Sequence, residues 1–81
     1  MSEVDKQLIA LSSMSVGQKA LIVAFSVDTK EGERIQEMGL SPGEQLEVMR
    51  LAPGAVEIKI RSYFVSLSKN EADHIKVKLF S

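Results

Sequence analysis

Val56-Glu57-Ile58-Lys59-Ile60-Arg61-Ser62-Tyr63-Phe64-Val65-Ser66-Leu67 is the stretch that decides the fold. Val56, Ile58 and Ile60 alternate with Glu57, Lys59 and Arg61, which is the period of a strand with one buried and one wet face. After a break at Arg61-Ser62 the alternation resumes, with Tyr63, Val65 and Leu67 on one side and Phe64, Ser66 and Ser68 on the other. Working outward, Leu46 and Val48 alternate with Gln45 and Glu47, and Ala52-Pro53-Gly54 turns the chain between the two runs. The same logic places Met49 and Leu51 opposite Leu46 and Val48. Ala20 to Phe25 is an almost continuous apolar segment, and Ile75 to Leu79 alternates again. Five short strands cannot each bury a face alone, so the expected solution is a small closed or nearly closed β-barrel.

Between the strands the punctuation is specific. Asp28-Thr29-Lys30-Glu31 fits a capping box, while Gly32 weakens an early helix. Ile35 and Met38 share a face, and Gly39 followed by Leu40 fits a Schellman stop, so a short helix is expected over Arg34 to Leu40. Ser41-Pro42-Gly43-Glu44 fits a type II turn. Ser68-Lys69-Asn70-Glu71 is a second capping box, opening one helical turn through about His74. Leu8, Ile9, Leu11 and Met14 form an apolar cluster expected to plug one end of the barrel as a helical turn. Residues 1–7 are polar and read as a loosely held tail, leaving 8–81 as a single domain.

Composition narrows the function classes. The chain has 81 residues, 44% of them hydrophobic and 26% charged, with a net charge of −1. That balance suits one small globular domain and lacks the basic excess of a nucleic-acid binder. There is no cysteine, which excludes disulfides and thiolate metal sites. The polar start has no signal-peptide pattern and no apolar run is long enough to cross a bilayer, so a cytoplasmic location without membrane insertion is expected. Catalysis is not supported. His74 is the single histidine, no serine lies in a nucleophile elbow, and the glycines stand singly at turns without a phosphate loop. No cofactor and no metal site are expected, with His74 read as half-exposed at the edge of its turn. Phe64, Met49 and Leu51 are outward apolar side chains of the kind that mark a partner surface.

The run Arg34-Ile-Gln-Glu-Met-Gly-Leu-Ser-Pro-Gly43, with Leu46-Glu-Val48, Arg50-Leu-Ala-Pro53 and Tyr63-Phe-Val-Ser-Leu67, resembles the core motif of the FeoA family of ferrous iron transport A proteins. The resemblance spans about residues 8 to 79. It departs from the family pattern at Gly54-Ala-Val56, where the loop is shorter and apolar. Ser62 stands at a common glycine, and Ser68 at a usual arginine. The resemblance implies an SH3-like barrel and a non-enzymatic cytosolic accessory of the ferrous iron permease FeoB, binding and modulating its GTP-binding region. Under that reading the partner-binding residues are Arg34, Met38, Met49, Arg50, Leu51, Arg61 and Phe64, and weak self-association is open. The alternative is a free metal-sensing domain like the SH3-like part of metal-dependent transcriptional repressors.

Overall fold

The computed structural model describes residues 8–80; the expected tail at residues 1–7 lies outside them. In chain order the elements are β1 (Ile9–Ala10), a 3-10 turn (Leu11–Ser13), β2 (Lys19–Ala24) and α1 (Lys30–Glu37). β3 (Gln45–Ala52), β4 (Ala55–Ile60), β5 (Tyr63–Ser68), α2 (Lys69–Asp73) and β6 (Lys76–Leu79) follow. All strand pairs are antiparallel, in the order β1-β6-β2-β3-β4-β5.

The expected barrel of about five strands is therefore corrected: among the described residues the sheet has six strands and does not close. Among the described residues β1 pairs only with β6 and β5 only with β4. The two elements that could have met are both cut short. β1 turns after two residues into the 3-10 turn, and β5 runs straight into the cap of α2. Side chains fill the seam instead. Leu11 of the 3-10 turn and Ala72 of α2 are fully buried, and the Leu11 amide donates to the Ile75 carbonyl at 2.9 Å. Ile22, Ile35, Val48, Ile58, Leu67 and Val77 belong with them to one buried core cluster.

The turns form as their sequences dictate. Gly43 has φ +96° and the Glu44 amide donates to the Ser41 carbonyl, the geometry of a type II turn. α1 ends in a full Schellman pattern: the Gly39 amide reaches the Gln36 carbonyl and the Leu40 amide the Ile35 carbonyl. Leu40 is thereby folded back into the core beside Ile35, both buried.

The start of α1 differs from expectation. Thr29, not Asp28, is the cap, its hydroxyl accepting from the Gly32 amide at 2.9 Å. The helix starts before Gly32 rather than after it. Gly32 is buried there because the helix lies on the Ser26 backbone; a β-carbon would sit 1.6 Å from the Ser26 carbonyl oxygen. We expect Gly32→Ala to lower stability by about 1–3 kcal/mol from this overlap, against a helix-propensity gain of at most ~1 kcal/mol. Urea denaturation of the two proteins measures the sign.

Candidate functional site

The outward face of β3, β4 and β5 carries an ordered set of charged and aromatic side chains. Pairing aligns Lys19, Glu47, Lys59 and Phe64 in one row across β2 to β5, and Arg50, Glu57 and Ser66 in the next. Opposite charges thus face one another across the strands, and Phe64 is 64% exposed beside Lys59. A cleft of about 400 Å³ opens beside this face, lined by Lys19, Glu44, Glu47, Lys59 and Arg61.

Arg61 stands out in the backbone. It is the one non-glycine residue with positive φ among the described residues, at +55° in the two-residue turn between β4 and β5. An L-residue there costs on the order of 1 kcal/mol, so the position would accept glycine with less strain. Its guanidinium is ion-paired with the Glu44 carboxylate, which is mostly covered, while the arginine side chain remains 59% exposed.

A second constellation joins the two helices. Glu71 is the one buried charged residue among the described residues. Its Oε1 accepts from the Ser68 amide at 2.9 Å, completing the capping box, and its Oε2 accepts from Arg34 Nε at 2.6 Å. Burial pushes the carboxyl pKa up, but the Ser68 amide, the Arg34 guanidinium and the Ser68 hydroxyl outweigh it and hold it below the ordinary value. Beside it, the Ser12 hydroxyl donates to Asp73 and lowers that carboxyl also. His74 donates from Nδ1 to the Asn70 carbonyl and lies 3.8 Å from Glu31. No group of three or more histidine or carboxylate side chains among the described residues could hold a metal ion.

The seven residues singled out in the sequence are spread over these regions. Arg50, 3.6 Å from Glu57, shares the outward face with Phe64, and Arg61 lies at its end. Met49 is the extra residue of a β-bulge, where Val48 pairs with Ile58 and Arg50 with Glu57. The bulge shifts the phase of β3, so Leu51 pairs with Val56 on the core side, correcting its expected outward placement. Leu51 is still 45% exposed because it overhangs the open seam, beside a pocket of about 200 Å³ that includes Ser12, Val56 and Lys69. Met38 is half-buried against the core, and Arg34 belongs to the helix pair. Glu71 and Glu44, the acidic partners of Arg34 and Arg61, were not among the sequence candidates. The capping box pointed to Glu71, but nothing local pointed to Glu44.

A family model described as the FeoA domain matches residues 9–79. No curated protein sequence matches the chain. Among solved structures, a FeoA-like protein from Clostridium acetobutylicum superposes with a TM-score of 0.85 at 25% identity, covering 93% of this chain and 90% of that one. An iron(II) transport protein A from Clostridium thermocellum gives a TM-score of 0.78 at 33% identity, over 88% of this chain and 45% of that one. A manganese-dependent transcriptional repressor gives a TM-score of 0.81 at 20% identity, over 90% of this chain and 42% of that one. At that identity the likeness is one of fold alone.

Because its folded pKa is depressed, Glu71 contributes stability that is fully present above the ordinary carboxylate range, near pH 4.3, and lost as pH falls through the folded pKa. We expect Glu71→Gln to cost about 2 kcal/mol at neutral pH. The gap from the unaltered protein should narrow steadily below about pH 4. Thermal melts from pH 7 down to pH 3 follow both curves.

Proposed function

The chain belongs to the FeoA family, and on that premise we propose that it is a non-catalytic accessory that binds and modulates the cytosolic GTP-binding region of the ferrous iron permease FeoB. Family membership supports a place in the ferrous-iron transport machinery, and the match over residues 9–79 is the observation that carries the reading. The contact surface is centred on Arg50, Arg61 and Phe64, with Met49 at the bulge beside them. Phe64 offers a large exposed apolar side chain, and aromatic and arginine side chains are the residue types that anchor protein interfaces. Arg61 supports the same reading from the backbone. A side chain kept on a strained turn, tied to one carboxylate yet exposed, is available to an acidic partner group. Arg34 and Met38 sit on the helix side and Leu51 over the seam. They extend the proposed surface only if the partner wraps around the hairpin tip.

The metal-sensing alternative draws on likeness to repressors at 20% identity, which carries fold and no ligand set.

The test is titration calorimetry of the full chain against the folded cytosolic region of the cognate permease. Binding is expected, and its absence with both proteins folded removes the proposal. Arg61→Gly separates surface from stability. It relieves the positive-φ strain, so the fold should stay within about 1 kcal/mol of the unaltered protein. Affinity should drop at least about tenfold, since loss of one well-placed interfacial arginine costs more than ~1.4 kcal/mol.

A further inference from the structure

β5 forms one margin of the sheet, and its pairing fixes which backbone groups are free. The two-residue turn makes Ile60 and Tyr63 the first hydrogen-bonded pair of the hairpin. By alternation Tyr63, Val65 and Leu67 direct their amides and carbonyls to β4. Phe64, Ser66 and Ser68 direct theirs outward. The Ser68 amide is taken by Glu71. No loop or capping bond among the described residues engages the amides of Phe64 or Ser66. Within the strand itself the usual protections of a sheet edge are also missing. Tyr-Phe-Val-Ser-Leu-Ser has no charge, no proline, no glycine and no bulge, and both Phe64 and Ser66 are exposed.

We propose that β5 is a self-association edge, pairing antiparallel with β5 of a second copy of this chain across a two-fold axis at Val65. Phe64 then exchanges its backbone bonds with Ser66 of the second copy, and Ser66 with Phe64 of the second copy, so all the free edge groups between them are satisfied. The outward rows single out this register. Lys59 and Phe64 of one copy continue into Ser66 and Glu57 of the other, so each row ends in opposite charges. An axis at Phe64 would instead align Lys59 with Lys59 of the second copy, and an axis at Ser66 would align the two Glu57 residues. The chosen register leaves small Ser66 opposite each phenyl ring and brings the two Phe64 rings within diagonal reach, about 7–8 Å. The occupant is a second copy because only there do edge, charge rows and aromatic pair match themselves at one register.

Sedimentation of the full chain from micromolar to millimolar concentration should show a monomer–dimer equilibrium, and Phe64→Lys should abolish it. The register is read by single cysteines in a chain that otherwise has none. Two Val65 residues facing as a non-hydrogen-bonded pair have α-carbons about 4.5 Å apart, within disulfide range. Val65→Cys should oxidise to a covalent dimer at least about tenfold faster than Phe64→Cys or Ser66→Cys, whose counterparts are offset. A chain that stays monomeric to millimolar concentration overturns the proposal, as does equal or faster cross-linking of either control. Capture of an extended segment of another protein on β5 without any dimer overturns it as well.

Discussion

Glu71 sits where the sheet fails to meet itself, and most of the architecture converges on its carboxylate. One oxygen closes the cap of α2 onto the last residue of β5, and the other receives the guanidinium of α1. These contacts hold the two helices against each other beside the seam that β1 and β5 leave open, with Ala72 and Leu11 packed beneath. A neutral apolar residue there would leave the Ser68 amide and Arg34 without their acceptor. An unpaired carboxylate would carry the cost of burial alone. The ionic contact is thus a joint between helices and sheet, tying α1 and α2 to the end of β5.

Features set by neighbouring residues could be read from the chain. Pro42-Gly43, Gly39-Leu40 and the Ser68 capping box each depend on conformational preferences within four residues, and all three took the expected form. Alternation around Val56–Ile60 and Tyr63–Leu67 likewise placed Phe64 outward and Leu67 inward. What stayed hidden depends on distant contacts. Ile9–Ala10 is too short to show a period, and it is a strand only because Val77 and Lys76 lie beside it. The bulge at Met49 leaves no local mark, so counting by two put Leu51 on the wrong face. Gly32 looked like a helix weakness because nothing in its own neighbourhood shows that Ser26 presses against it.

The surface chemistry follows the same division. Arg50, Arg61 and Phe64 could be picked out as exposed residue types, but their arrangement around a cleft comes from the β3–β4–β5 register. The strain at Arg61 could not be anticipated, because arginine gives no signal for positive φ. Its acidic counterpart comes from a turn seventeen residues earlier in the chain, brought close by the β3–β4 pairing.

The pairing of β1 with β6 has a consequence for how this fold can be used in larger molecules. Ile9 lies opposite Val77, so the chain enters and leaves the folded unit on adjacent strands, running in opposite directions. A unit whose two ends emerge together can be appended to another polypeptide, or spliced into one of its surface loops, without pulling its own sheet apart. Appending it takes one junction, and splicing it takes two that lie close together. Such portability fits the superposition of the same fold on 42% of a transcriptional repressor chain and on 90% of a FeoA-like chain.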